Sequence, residues 1–301
     1  MAMARAKKHT GKSMAGFLFI LPWLAGFLIF QLYPLAASLY YSFTDYNIIN
    51  TPKFIGLKNY ITMFTKDEYF LQSLKVTFIY ALIAVPAKLA FALFIAMVLN
   101  MKLRMINFFR TIYYLPSILG GSVAIAVLWR FLFMKEGVVN KVLSYVHIPA
   151  VDWLGSPKVA LYTISLLVVW QFGSSMVLFL AGLKQIPREL YEAGTVDGAS
   201  KLRMFCTITV PLLTPILFFN LVMQIIHAFQ EFTASFVVTN GGPMRSTYLY
   251  GLKLYDDAFQ FFKMGYASAL SWILFIVILI FTGIIFRSSS AWVHYEDGGG
   301  Q

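Results

Sequence analysis

Cysteine and histidine are scarce in this chain: Cys206 stands alone, and only four histidines are spread over 301 residues. A single cysteine closes no internal disulfide, and no Cys/His spacing of the kind that holds zinc occurs. Charge is also thin for the length. Asp, Glu, Lys and Arg make up 12% of the residues against 59% hydrophobic, too little charge to cover a soluble domain of this size. No GxxxxGK[ST] loop is present to cradle the phosphates of a nucleotide. The net charge of +11 is not gathered into a basic tract interleaved with aromatics, which argues against nucleic acid as a partner. It is spread between apolar blocks, as expected of basic residues that flank membrane spans. What remains is an integral membrane protein in a lipid bilayer.

A helix needs roughly 20 apolar residues to cross the hydrocarbon core. Six stretches qualify, at about 14–41, 72–99, 108–133, 159–183, 205–230 and 266–287. The fold expected is therefore all-α, with six transmembrane helices across 14–287, an N-terminal tail at 1–13 and a C-terminal tail at 288–301. Pro34, Pro86, Pro116, Gly173 and Pro215 fall within these runs and are expected to interrupt them, as happens where a helix lines a pathway. The first run is too long for the apolar core of a cleaved signal peptide. Arg5, Lys7, Lys8 and Lys12 precede it with no acid among them, which places the N-terminus in the cytoplasm. Six spans return the C-terminus to the same side, together with the connections at 100–107 (Lys102, Arg104) and 184–204.

The connection between spans four and five, ELYEAGTVDGASKLRMFCTITVP at 189–211, is far more polar than its flanks. Pro187 suits a first helical turn, and Glu189 and Glu192 sit early in a short helix, where the dipole favours acids. Gly194 and Gly198 permit a turn with positive φ. From Ala199 a helix resumes into the membrane. The expectation is a helix–turn–helix standing out on the cytoplasmic side at 187–211.

This segment resembles the signature of the membrane subunits of binding-protein-dependent ABC importers, in particular the carbohydrate-uptake branch. That signature runs Glu-Ala-Ala-x3-Gly-x9-Ile-x-Leu-Pro. The chain has Glu192-Ala193-Gly194, Gly198, Ile208 and Val210-Pro211 at the same spacing, departing at Gly194 and Val210. Leu32-Tyr33-Pro34, Phe54-Ile55-Gly56-Leu57-Lys58-Asn59-Tyr60, Arg110-Thr111 through Leu115-Pro116, and Thr239-Asn240-Gly241-Gly242-Pro243 are similar to the same family, so the likeness covers all but the two tails. The resemblance implies a type I importer permease fold in a bacterial cytoplasmic (inner) membrane. It also implies a second homologous permease subunit, two ATPase subunits that bind ATP and Mg, and a periplasmic or extracellular solute-binding protein. This chain would bind no cofactor and catalyse no reaction. Glu189, Glu192, Ala193, Gly194, Asp197 and Gly198 would dock in a cleft of the ATPase as a coupling helix.

Polar residues inside a span are costly and usually face a cavity or a partner. Gln224, His227 and Glu231 fall on one helical face of span five, with Gln230 beside them, and Gln171, Ser174 and Ser175 share a face of span four next to Trp170. Hydrogen-bonding groups beside an aromatic plane suit a polyhydroxylated solute. The sugar site of maltose-type permeases, carried over by position, implies Leu167, Trp170, Gln171, Ser174, Gln224, His227, Ala228 and Glu231. Packing against the partner permease is the alternative for these groups. Lys88, in mid-span beside Pro86, reads as an internal or inter-subunit contact rather than a ligand. The function expected is half of the pathway of an ATP-driven sugar importer, with an oligosaccharide as solute. An ion-coupled secondary transporter is the rival; it would need inverted repeats and carboxylates buried in the spans, whereas most acids here lie in connections.

Overall fold

A computed structural model describes residues 11–101 and 105–294, with side chains from residue 18 onward. The basic residues Arg5, Lys7 and Lys8, the side chain of Lys12, the pair Lys102 and Arg104, and the C-terminal stretch 295–301 lie outside the described residues. The chain divides into two compact units. One comprises residues up to Thr65 with Asp257–Trp272; the other comprises Lys66–Asp256 with residues from Ile273 on.

In the first unit, α1 (Gly11–Phe27) runs through a π-helical turn at Leu28–Leu32 into α2 (Tyr33–Ser42). Pro34 explains the widened turn: it lacks an N–H, and its ring crowds the carbonyl four residues back. A two-residue antiparallel ladder follows, with β1 (Thr44–Asp45) against β2 (Lys53–Phe54), and then α3 (Lys58–Thr65). Asn59 Nδ2 donates to the carbonyls of Ser42 and Thr44, at 2.9 Å each, and the Tyr60 hydroxyl donates to Ser42 Oγ at 2.8 Å. Aromatics of this connection stack on one another, Tyr41 on Tyr46 at 4.8 Å and Phe43 on Tyr60 at 5.6 Å. Gly265 donates its N–H to the Tyr46 carbonyl at 3.0 Å. Any Cβ there would collide with the Thr44 carbonyl, so this close approach requires glycine.

The second unit is built around α4 (Glu68–Asn100). Asp67 caps it, accepting from the N–H groups of Tyr69 (3.0 Å) and Phe70 (3.1 Å). The same carboxylate holds Lys253 at 2.6 Å, the two side chains being 4% and 13% exposed. A buried stripe recurs along α4 at helical spacing, from Phe70 and Ser73 through Thr77, Ala81 and Ala84 to Ala92, Ala96 and Leu99. Its small residues admit close neighbours. Around the stripe pack α8 (Ala160–Trp170), α9 (Gly173–Gln185), α12 (Val210–Phe229) and α13 (Tyr250–Tyr255). The first N–H of α13 has no side-chain cap of its own; Thr77 Oγ1 on α4 accepts it at 2.8 Å. Between α4 and α8 lie α5 (Ile106–Leu119), α6 (Val123–Phe133) and α7 (Val138–Tyr145). The α7 loop is fastened by the buried Asn140, which bonds both the N–H and carbonyl of Val151, the Lys135 carbonyl and the Trp153 indole. In the final helix, α14 (Met264–Trp292), Phe281 packs on Phe78 and Phe229.

Four helical rods among the described residues are long and apolar enough to cross a membrane: Leu18–Ser42, Glu68–Asn100, Lys201–Phe229 and Met264–Trp292. Counting each bent pair as one span brings the number to six, so the six expected runs each fall on one rod or one pair. The bend in span four falls at Gly173, where an interruption was expected; the bend in span three does not fall at Pro116. Span three turns by 101° between Leu119 and Val123, and span four by 49° between Trp170 and Gly173. Of the prolines expected to interrupt, only Pro34 stands at an interruption. Pro86, Pro116 and Pro215 lie inside uninterrupted α4, α5 and α12, since one missing N–H leaves the rest of the ladder intact; the Pro211 carbonyl freed by Pro215 accepts from Thr214 Oγ1 at 2.6 Å. Span three breaks instead at Gly120-Gly121, with Ser122 capping α6 by accepting from Ala124 N at 3.2 Å.

Candidate functional site

Two features of the second unit stand out chemically: a polar cavity among apolar helices, and an exposed helix–turn–helix. The cavity has a volume of about 420 Å³, within the range of small-molecule sites. Helix α4 contributes Tyr80, Ala84, Val85 and Lys88, α5 contributes Ser117, and the α8–α9 bend contributes Val168, Gln171 and Ser174. Gln224, His227 and Ala228 come from α12, and Gln230 to Thr233 close one end.

The bend in span four is what brings Gln171 to this wall. Its Nε2 donates to the Gly120 carbonyl at 2.7 Å, and its own carbonyl accepts from Ser117 Oγ at 3.1 Å. Ser117 Oγ in turn accepts the Ser174 N–H at 3.0 Å. The broken ends of spans three and four thus satisfy each other. On the opposite wall, Gln224 Nε2 donates to Ser175 Oγ at 3.3 Å, tying α12 to α9.

Of the residues expected here, Gln171, Ser174, Gln224, His227 and Glu231 all line the cavity. Glu231 does so from a different position than expected. α12 ends at Phe229, so Glu231 is not a third step on its face; beyond the helix, its Oε1 accepts from the Ala234 N–H at 2.8 Å and caps the π-helical turn Ala234–Thr239. Trp170 is not brought to the cavity. The bend after it breaks the register it would have shared with Gln171, and its ring pairs with Trp129 at 6.0 Å. Leu167 is buried in the packing, away from the lining, while Ala228 is in it. Ser117 and Tyr80 were not singled out from the sequence. Ser117 carries no signal in a six-run reading, but Tyr80 and Lys88 stand eight residues apart on one stripe of α4, and a lysine inside a span is the signal that could have found both.

The exposed feature is α10 (Arg188–Val196), followed by α11 (Lys201–Met204) and a π-helical turn at Phe205–Thr209 that leads into α12. Pro187 is the residue before the first turn rather than within it. Glu189, Glu192, Ala193, Asp197 and Gly198 are exposed. Gly198 has φ +71°, and the N–H groups of Gly198 and Ala199 reach the carbonyls of Thr195 (3.1 Å) and Gly194 (2.9 Å), the paired bonds of a Schellman cap. Gly194 is not a turn residue: it lies in the last turn of α10, against the Met204 side chain. The Tyr191 hydroxyl lies 2.8 Å from Thr209 Oγ1, binding α10 to the start of α12. A tightly fastened loop at Thr239–Thr247 completes the polar features; Asn240 and Gly241 take positive φ, and Thr247 Oγ1 donates to the Gly242 carbonyl at 2.7 Å.

Comparison with known proteins gives a consistent result. The family described as "Binding-protein-dependent transport system inner membrane component" matches residues 70–294. The "Probable ABC transporter permease protein YesP" of Bacillus subtilis (strain 168) is 50% identical over 299 residues, covering 98% of this chain and 97% of that protein. The "Probable starch degradation products transport system permease protein AmyD" of Thermoanaerobacterium thermosulfurigenes is 31% identical, covering 94% and 96%. Among solved structures, a chain of a bacterial alginate ABC transporter in complex with an alginate pentasaccharide-bound periplasmic protein shares the fold, with a TM-score of 0.81 over 95% of this chain and 97% of that one at 22% identity.

Proposed function

The chain belongs to the family of binding-protein-dependent transport system inner membrane components, and we propose that it forms half of the pathway of an ATP-driven importer of saccharides, an oligosaccharide as solute. The observation that carries this reading is the cavity: glutamine, serine and histidine side chains converge on about 420 Å³ among helices that are otherwise apolar. Neutral hydrogen-bonding groups in that setting match the hydroxyls of a sugar, and keeping them there unpaired would otherwise be costly. The printed names of the relatives, a transporter of starch degradation products among them, support the same class.

In this reading a second permease completes the pathway, and a binding protein delivers solute from outside. Two ATPase subunits hold ATP and Mg and receive α10 through Glu189, Glu192, Ala193, Gly194, Asp197 and Gly198. The chain holds no cofactor and performs no chemistry of its own. Both termini lie in the cytoplasm of a bacterium. Exposure of the acids on α10 and its bond to α12 support a coupling role, because a displaced α10 pulls on a wall of the cavity.

The test is uptake by the reconstituted complex, with the co-purifying solute identified by mass spectrometry. One lost hydrogen bond to a neutral group costs about 0.5–1.5 kcal/mol, so Gln224→Ala is expected to lower saccharide uptake several-fold while stimulation of ATP hydrolysis by the loaded binding protein persists. Undiminished uptake in both Gln224→Ala and Gln171→Ala would mean that solute passes elsewhere.

A further inference from the structure

The short helix α7 turns its apolar residues outward. Val138, Val142 and Tyr145 stand at steps of four and three, which is one stripe of a helix, and Val146 follows just past its end; all four are 54–83% exposed. The opposite side is the fastened one. Asn140 is buried there with its amide fully engaged, the Nδ2 donating to the Lys135 and Val151 carbonyls and the Oδ1 accepting from the Val151 N–H and the Trp153 indole, all within 3.1 Å. Trp153 in turn packs edge-on against Phe133 at the end of α6, at 5.5 Å, and its carbonyl accepts from Thr163 Oγ1 in the first turn of α8 at 3.0 Å. The helix cannot roll its stripe inward without breaking these bonds. A water-facing helix would turn the same stripe to the core; here it is held out beside two membrane spans. Tyr162 is also exposed in the first turn of α8, and exposed tyrosines at the ends of spans gather at the membrane–water boundary. Lys141 is exposed at the edge of the stripe, where its stem can lie along apolar surface with the ammonium in water.

We propose that α7 lies along the bilayer surface with this stripe sunk at the boundary of headgroups and acyl chains, so that the partner of the surface is lipid. α7 precedes span four and α10 follows it, which puts the two helices on opposite faces of the membrane. An outward apolar stripe, a tyrosine at its end and a lysine at its edge are the features by which an interfacial helix holds to a bilayer. The proposal rests on the membrane-spanning fold and not on the identity of the solute. Seated in this way, α7 is a foot. Through Asn140, Trp153 and Thr163 it holds the adjoining ends of spans three and four at one depth, and those are the two spans whose bends bring Ser117 and Gln171 to the cavity.

The experiment uses the full complex, with both permeases and the ATPase subunits, in proteoliposomes of phosphatidylethanolamine and phosphatidylglycerol. Cys206→Ser removes the exposed native thiol of this chain. A nitroxide is then attached at Val142→Cys on the stripe or at Ser144→Cys on the exposed polar flank, and the signal of the Cys206→Ser complex alone is subtracted. Oxygen dissolves in the bilayer, whereas a nickel chelate stays in water. The ratio of oxygen to nickel collisions is expected to be higher at Val142→Cys than at Ser144→Cys by about fivefold or more. Equal nickel access at the two positions places the stripe in water and overturns the proposal. Shielding of the Val142→Cys label from both reagents means that protein covers the stripe and overturns it too, whether the partner permease does so in the resting complex or the loaded binding protein does so on addition. Tyr145→Cys reads the same stripe if Val142→Cys fails to assemble. None of these outcomes bears on the importer reading, which stands or falls by uptake.

Discussion

Replacing Gly198 by alanine isolates a single physical quantity. The residue holds φ +71° at the end of α10, and no atom lies within 4 Å of where a Cβ would stand. No contact is created or lost, so the cost is the dihedral penalty alone, roughly 1–2 kcal/mol for an L-residue with a side chain in the left-handed region. A penalty of that size shifts a two-state population by about 5–30-fold. If the ATPase recognises only the turned form, the apparent Kd rises as the inverse of the fraction in that form. Titrating the purified permease pair with ATPase subunit, and reading ATP hydrolysis stimulated by the loaded binding protein, should show half-saturation moved up, by at most a factor in that range. Gly198→Asn should recover part of it, since asparagine tolerates this region better. Gly194→Ala, at another residue of the proposed docking set, gives the comparison without a dihedral penalty. It lies in helical backbone, where alanine is favoured by about 0.5–1 kcal/mol over glycine, and its Cβ would meet the flexible Met204 side chain at 3.3 Å and Ile208 Cδ1 at 3.5 Å. Coupling should be near wild type. A Gly198→Ala complex that titrates like wild type, or a Gly194→Ala complex equally impaired, would refute the idea that the capped turn is what the ATPase reads.

Asp67→Asn removes one charged partner of the buried Lys253 while keeping a capping oxygen for α4; the melting temperature of the purified protein should drop measurably, whereas loss of an exposed pair would leave it nearly unchanged. Trp170→Phe should lower thermal stability through the loss of ring contact with Trp129, an interaction worth about 0.5–1.5 kcal/mol, yet leave the KM for uptake unmoved. A raised KM at unchanged stability would return Trp170 to the solute path.

Much of the architecture was legible as hydrophobic runs, because a membrane helix must satisfy its own backbone and so needs length and apolarity above all. The bends were not. Proline is the conspicuous breaker in a sequence, but its effect depends on whether the freed carbonyl finds a donor, as the one freed by Pro215 does in the Thr214 hydroxyl, and a sequence does not display that. Gly120-Gly121 looked innocuous because glycine is common in membrane helices. The same blindness misplaced Trp170 and Glu231: helical periodicity assigns faces only while the helix continues, and it stops between Trp170 and Gly173 and again after Phe229. Gln171, Gln224 and His227 were readable because their polarity inside a span demands an explanation. Tyr80 was not, since a tyrosine in an apolar run passes as bulk until its hydroxyl is found without a partner. In the exposed segment, Gly198 was assigned to positive φ and Gly194 with it, although only the second glycine of the pair ends the helix.

The mutual bonding of Gln171, Ser117 and Gly120 has a mechanical consequence. Each broken span supplies polar groups that the other leaves bare, so straightening either one strands a carbonyl or an N–H of its neighbour in a water-poor interior. The two bends act as a rivet through a pair of scissor blades: α5 and α9 can pivot about the shared point, but neither can slide past it without shearing the polar bonds that hold the joint. Rotation about this joint preserves the bonds of Ser117, Gln171 and Ser174, whereas sliding breaks them, at about 0.5–1.5 kcal/mol each.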